Sequence, residues 1–446
     1  MTNNISGRDL ALEALLDIEI NSAYANRSLN FLFSKYKPEE REKGLATEIV
    51  YGTLRHLALI DDLLSQLLTK ELSALPPIIR NILRLAIYQL MANPQKGYAV
   101  VNEAVKLTRK RKFAGLSGLV NGVLRSYLRK KNQLILPEFK QEPIEHMVIV
   151  HSHPSWLVER WVHRWGIDIT HQLVEANNSV APFTIRTNTL ILSREELLAH
   201  LDLAEIEAYP LALVPEAIRI KEARELNNTP FFSAGYYYIQ DESSMLVSHL
   251  LSPQPGELIA DLCAAPGGKT THLAQLMKNT GQIYALDEYP HKTTLIQENA
   301  DRLGISIIRT YTADSRLWNP KILFDGILLD APCTGTGVLR RRPDIRWHRQ
   351  PKDVEELATL QGELLDHAAS LLKPGGRLVY STCSLESEEN EEQISRFISM
   401  HPDFVISIPE GFEAKLDCQR LQEGLLILPH NGEADGFFMT RLVKIC

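Results

Sequence analysis

The sequence predicts a multidomain protein: an all-α N-terminal domain (1–140), a small α+β middle domain (141–234), and a C-terminal α/β domain (235–446) whose parallel sheet carries an antiparallel edge strand. Three observations lead there. A chain of 446 residues exceeds one ordinary core, and at roughly 150 residues per domain it suggests about three. The first part has apolar residues at helical spacing throughout. From about Gly235 onward, short apolar runs alternate with helical stretches, the pattern of strands laid parallel by crossover helices.

Taken in order, Ile79, Ile82, Leu83, Ala86, Ile87 and Leu90 share one helical face, as do Leu116, Leu119, Val120, Val123, Leu124, Tyr127 and Leu128. Pro76-Pro77 marks a helix start and Asn93-Pro94-Gln95-Lys96-Gly97 a break. Asn132 to Val150, with Pro137 and Pro143 among polar residues, reads as a linker. From His153 a long helix carries Trp156, Leu157, Trp161 and Trp165. A mixture follows that includes the extended Phe183–Asn188 and a capping box, Ser193 to Glu196. Strands are predicted at Leu258–Cys263, Gln282–Asp287, Ile305–Thr310, Asp325–Asp330 and Gly376–Ser381, with Gly436–Val443 as the added edge strand.

Composition excludes several classes. With 44% hydrophobic and 23% charged residues the chain is neither disordered nor fibrous. No apolar run approaches the ~18 residues of a membrane helix, and Met1-Thr-Asn-Asn-Ile-Ser-Gly-Arg8 lacks the form of a secretory signal. A cytoplasmic protein with no membrane partner is expected. Five cysteines, at 263, 333, 383, 418 and 446, form no C-x-x-C pair, so neither a disulfide framework nor a metal site is read from them. The net charge of −7 argues against a general nucleic-acid coat, but it is unevenly spread. Lys106 to Lys131 holds nine Lys or Arg and no acid, Lys106, Arg109, Lys110, Arg111 and Lys112 among them. Arg340 to Lys352 holds six against the single Asp344. Such stripes can neutralise phosphates; otherwise they are solvated helix faces.

Chemistry concentrates in three loops. Asp261-Leu-Cys-Ala-Ala-Pro-Gly-Gly-Lys-Thr270 closes one apolar run with small residues and opens a helix, a place where backbone N–H groups can approach a ligand closely. It is no Walker A loop, because the required glycine five positions before Gly268 is Cys263. Asp287 ends the next strand, where an acid can accept hydrogen bonds from a ribose, and Asp314 follows the third. Leu329-Asp330-Ala331-Pro332-Cys333 and Val379-Tyr-Ser-Thr-Cys-Ser384 each end an apolar run with a cysteine in a turn. If the runs are neighbouring parallel strands, one crevice holds a cofactor loop, an acid and two thiols.

On these motifs the chain resembles the bacterial RNA cytosine-5 methyltransferases, and within them the small-subunit ribosomal RNA methyltransferase B group. DLCAAPGGKT, DAPC and TCS stand unaltered here, and His153-Pro-Ser-Trp156, Arg186-Thr-Asn188, Gln240–Ser244, Gly337–Trp347 and Asp435-Gly-Phe-Phe438 look like further family signatures. Val101–Val105 and Leu119–Arg125 make the N-terminal helices similar to the RNA-binding factor NusB. Arg342 departs from the pattern, since a histidine is expected there.

The resemblance implies a Rossmann-like methyltransferase sheet and S-adenosylmethionine as cofactor, bound by Cys263, Ala264, Ala265, Pro266, Gly267, Gly268, Lys269, Asp287, Asp314 and Asp330. It implies Cys383 as the nucleophile that adds to cytosine C6, Asp330 as the acid near N3 and N4, and Cys333 as the residue that frees the product. The implied partner is 16S ribosomal RNA, naked or in an early assembly intermediate, touched by Arg186, Asn188, Arg340, Arg341, Arg342 and Arg346, with the N-terminal helices adding distal contacts. Two alternatives stay open: a different ribosomal or transfer RNA cytosine, and a non-catalytic RNA-binding regulator.

Overall fold

The computed structural model describes residues 5–221, 226–413, 416–430 and 434–445. Where the sequence reads as three consecutive modules, contacts divide the chain into two compact units: Met1–Ser179 with Leu339–Arg349, and Val180–Val338 with Gln350–Cys446.

The first unit is helical. Pro77–Ala92 begins with proline at its first position, where the missing N–H costs nothing, and the six apolar positions read on its face are all buried. They pack with Leu10, Ala14, Ile49, Val101 and Val120 into one core. The stripe on Ser117–Lys130 is buried at Val120, Val123, Leu124 and Tyr127, while Leu119 is exposed. Ser155–Asn178 is the expected long helix, interrupted at Gly166, which adopts a positive φ of 79°. Within the same unit, Trp347 packs on the helical core and its indole N–H donates to Leu54 O at 2.7 Å.

The second unit opens with a four-stranded antiparallel sheet, β1 (Phe183–Thr187), β2 (Ala208–Pro210), β3 (Ala217–Ile220) and β4 (Tyr237–Ile239), in the order β2-β3-β1-β4. The capping box at Ser193 and Glu196 forms as read, each side chain meeting the other's backbone N–H. The main sheet has nine strands. β5 (Leu258–Asp261), β6 (Gln282–Asp287), β7 (Ile308–Thr312), β8 (Phe324–Asp330) and β9 (Leu372–Thr382) are parallel to their neighbours within this set. β10 (Phe404–Ile406), β11 (Gln419–Arg420), β12 (Leu425–Ile427) and β13 (Phe437–Lys444) are antiparallel additions, giving the order β11-β12-β13-β9-β8-β5-β6-β7 with β10 also on β13.

Two readings need correction. The antiparallel strand expected at the edge is present as β13, but β9 and β12 flank it, so the outermost strand on that side is β11. Its mostly buried side chains, Phe437 to Thr440, fit an interior strand. The strand expected at Ile305–Thr310 begins only at Ile308. Leu303, Ile305 and Ile307 are buried in the connection after the helix Pro290–Arg302, so core packing of a loop mimicked a strand's apolar run.

Candidate active site

The chain runs from β5 to β6 and β7 on one side, then returns to β8 and β9 on the other. That reversal opens a crevice at the carboxyl ends of β5, β6 and β8, where α/β sheets receive ligands. The glycine-rich loop leaves β5 into this crevice and is pinned on both flanks: Leu262 N donates to Leu328 O at 3.0 Å and Ala264 N to Leu286 O at 2.8 Å. Gly267, at φ 101°, lies in the left-handed region, and a Cβ there would stand 3.2 Å from Ile296 Cα. Only glycine fits this turn into the helix Gly268–Leu276.

Beneath the loop Asp261 is buried and accepts from Thr270 Oγ1 at 2.7 Å. Burial drives its pKa up to about 7, with Asp330 adding to the rise and the Thr270 bond opposing it. Its other oxygen is buried without a hydrogen-bond partner among the described residues. An unmet acceptor, a close-approach glycine turn and the acids Asp287 and Asp330 at adjoining strand ends suit a group with ribose hydroxyls and a cationic sulfonium.

Asp287 is buried at the end of β6 and pairs with Lys292 Nζ at 3.1 Å. Asp314 lies just past β7, where Arg316 holds it through its backbone N–H at 2.9 Å and its guanidinium at 2.7 Å. Those hydrogen bonds keep its carboxyl below the usual range. Asp330, at the end of β8, joins the loop to the thiols: Lys269 Nζ donates to Oδ2 at 2.6 Å and Ser381 Oγ to Oδ1 at 2.9 Å.

The two cysteine turns meet. Cys333 Sγ and Cys383 Sγ are 3.3 Å apart, both half-buried and reduced. The adjacent sulfur and then burial push the Cys333 thiol well up. The turns approach so closely that a Cβ on Gly337 would fall 2.2 Å from Gly436 O and 2.9 Å from Cys383 O. Gly337 N donates to Cys383 O at 2.9 Å.

Sequence reasoning missed what holds them. Glu389 is fully buried and accepts from Thr334 N at 2.8 Å, Thr334 Oγ1 at 2.5 Å, Gln361 Nε2 at 3.0 Å and Ser384 Oγ. Thr334 follows one cysteine and Ser384 the other, so this single carboxylate fastens both turns. Burial raises its pKa, against which the Ser384 and Thr334 hydrogen bonds act. Its only sequence signal is an acid six residues after Cys383, inside the acidic run Glu386 to Glu392.

Four of the residues expected near RNA are buried. Arg186 is buried, and its guanidinium donates to Gly268 O at 2.6 Å, Thr271 Oγ1 at 2.9 Å and Gln240 Oε1. It props the first turn of the cofactor-loop helix and faces no solvent. Asn188 is buried too, its amide donating to Gly235 O and Leu303 O, both at 2.9 Å. Arg340 and Arg346 are also buried, leaving Arg341 half-buried and Arg342 exposed as groups a phosphate can reach.

The family description "16S rRNA methyltransferase RsmB/F" matches residues 248–443, "NusB family" matches 6–129, and the RsmF/B-like ferredoxin-like domain matches 153–227. The chain is 38% identical to the probable ribosomal RNA small subunit methyltransferase B of Bacillus subtilis (strain 168), covering 98% of this chain and 99% of that one. It is 35% identical to ribosomal RNA small subunit methyltransferase B of Klebsiella pneumoniae subsp. pneumoniae, covering 100% of this chain and 99% of the relative. The solved structure of PH0851 superposes with a TM-score of 0.82 at 30% identity, over 99% of this chain and 100% of its own. A methyltransferase homolog protein from Pyrococcus horikoshii does so with 0.61 at 32%, over 68% of this chain and 99% of its own. Matched along its whole length, the chain belongs to the ribosomal RNA small subunit methyltransferase B family, RNA methyltransferases that use S-adenosylmethionine.

Proposed function

We propose that this enzyme methylates C5 of a cytosine in 16S ribosomal RNA through a transient bond between Cys383 and C6. The supporting observation is the 3.3 Å approach of the two sulfurs beside Asp330, itself tied to the glycine-rich loop through Lys269. Cytosine C5 is a weak nucleophile, and addition of a thiolate at C6 makes it enamine-like, dividing one hard step into easier ones. The cofactor, when bound, supplies an electrophilic methyl group. Residues 263–269 with Asp287, Asp314 and Asp330 are our assignment for holding it. Asp330, as an acid hydrogen-bonded to the base edge near N3 and N4, stabilises charge that builds there on addition. Release requires loss of the C5 proton while the C6–S bond breaks; Cys333 hands its proton to the departing Cys383 sulfur 3.3 Å away and takes up the C5 proton in its place.

Reaching C6 requires an unstacked base, so the target lies in a loop or locally opened strand. The domain matches at 6–129, 153–227 and 248–443 support modules of 1–140 and 141–234 for RNA and 235–446 for catalysis. An rRNA substrate makes the cytoplasm the expected compartment, and no helix among the described residues is long and apolar enough to cross a membrane.

The test uses two variants. Cys383→Ala is expected to lose methyl transfer while still binding S-adenosylmethionine; full activity removes the nucleophile assignment. Cys333→Ala is expected to accumulate a protein–RNA adduct that survives denaturation, and a gel without that species refutes the release role. Bisulfite mapping of 16S RNA from cells with and without the gene locates the cytosine.

A further inference from the structure

We propose that His146, His151 and His171 form a binding site for a divalent transition metal of the zinc type, which pins the segment after the N-terminal helices to the long helix Ser155–Asn178. The three side chains offer ligand nitrogens that all lie within 4.8 Å of one another. Their ring centres are 5.2 Å apart for His146–His151, 5.9 Å for His146–His171 and 5.0 Å for His151–His171. A metal bound at about 2.0–2.1 Å by imidazole nitrogens has ring centres about 3.2 Å away, and a tetrahedral angle then spaces those centres about 5.2 Å apart. The rings already stand close to that spacing. They are also inclined to one another by 66°, 47° and 82°, so none is stacked on another.

The supports are those of a formed site. His146 Nδ1 lies 2.8 Å from Pro137 O, so this nitrogen carries the proton and Nε2 presents a lone pair, the arrangement common in metal-bound histidines. The backbone of His151 is fixed through its carbonyl, which accepts from His153 Nδ1 at 2.7 Å and Asn178 Nδ2 at 2.8 Å. Glu175 places a carboxylate 3.9 Å from His171 Nδ1, supplying negative charge at the open side. All three histidines are half-buried, leaving a path for an ion and for water as fourth ligand.

The other cluster of possible ligands is built differently. Glu216 Oε1 lies 2.8 Å from His249 Nε2 and also meets His272 Nε2, so each imidazole there is already hydrogen-bonded to the acid between them. Among the described residues no carboxylate is hydrogen-bonded to the three histidines, Glu175 standing off His171 at 3.9 Å.

The test takes the full-length chain without an affinity tag, strips it with a chelator, and titrates it with Zn²⁺ by calorimetry and Co²⁺ by visible absorption. The expected result is uptake of one equivalent, a tetrahedral Co²⁺ spectrum without sulfur charge-transfer bands, and a rise of several degrees in melting temperature with excess Zn²⁺. Uptake is expected to fall at least tenfold in His151→Ala and in His171→Asn, and to persist in His249→Ala. Absence of stoichiometric uptake by the unaltered chain overturns the proposal, whatever the variants do. So does a thiolate spectrum, or uptake lost in His249→Ala but kept in folded His171→Asn.

Discussion

Glu389 in the catalytic unit and Arg346 in the helical unit are both ions buried almost completely, and among the described residues neither has an oppositely charged partner. Burial pushes both towards neutrality, raising the pKa of Glu389 and lowering that of Arg346 to about 9. Each is instead hydrogen-bonded by neutral groups, with Arg346 Nε left without a partner among the described residues, and the identity of those groups separates their roles. Glu389 collects donors from two turns that carry thiols. Arg346 donates to Ser152 O at 2.9 Å, Asn178 Oδ1 at 3.0 Å, Asn177 O at 3.3 Å and His151 O at 3.4 Å. Two of these acceptors belong to the last turn of Ser155–Asn178, where carbonyls lack helical partners and the helix dipole favours a cation. One buried charge fastens two cysteine turns; the other closes a helix end.

The largest effect expected from this contrast is on stability. Arg346→Met removes the ion but takes the donor from Ser152 O, Asn177 O and Asn178 Oδ1, which costs about 3 kcal/mol after allowing for the desolvation no longer incurred. Denaturant unfolding followed by helical circular dichroism checks it. Arg346→Lys is expected to recover little, because a single ammonium cannot span oxygens arranged for a planar fork. A stability equal to that of the unaltered chain would overturn the role of Arg346 at this helix end.

Next comes catalysis. Glu389→Ala frees Thr334 and Ser384, lets the sulfurs drift from their 3.3 Å separation, and is expected to lower kcat about a hundredfold, the usual penalty for an ångström of misplacement. KM for S-adenosylmethionine should stay within about twofold, since the glycine-rich loop has its own supports. Glu389→Gln retains an acceptor for Thr334 N and Gln361, and an amide that Thr334 Oγ1 and Ser384 Oγ can accept from. It should therefore restore most of kcat. Equal loss in Gln and Ala variants would mean that the charge itself takes part, which would break the comparison with Arg346.

This contrast also explains what could be read in advance. Ile79 to Leu90 and the alternation after Gly235 were legible because burial periodicity follows directly from helix and strand geometry. The cysteine turns were legible because residue type, strand end and neighbouring turn residues coincide at Cys333 and Cys383. The burial of Arg186, Asn188, Arg340 and Arg346 was not legible for one physical reason: charge or polarity along a sequence does not say whether the side chain meets water or the protein interior. Glu389 was invisible in an acidic run whose other members give no hint that one of them turns inward. The histidines at 146, 151 and 171 lie too far apart in sequence to suggest convergence before two helices fold together.

The smallest effect sorts the basic stripe on the helical unit. Lys110 Nζ lies 2.8 Å from the buried Asp9, and Arg111 pairs with Glu13 at 3.2 Å, whereas Arg109 and Lys112 are exposed. Asp9 is driven up by burial, but hydrogen bonds from Lys110 and Ser6 hold it below its ordinary range, so its ionised form belongs to the fold. Reversing Lys110 and Arg111 together should therefore destabilise the unit by about 1–2 kcal/mol, mostly through Asp9. Reversing Arg109 and Lys112 should leave unfolding unchanged while weakening RNA binding a few-fold and reducing the slope of log affinity against log salt by about 1–2. Filter binding across a salt series reads both quantities. If Arg109→Glu with Lys112→Glu binds RNA with the original affinity and slope, the exposed part of the stripe is solvated surface, and the helical unit's RNA contacts must be sought at Arg341 and Arg342.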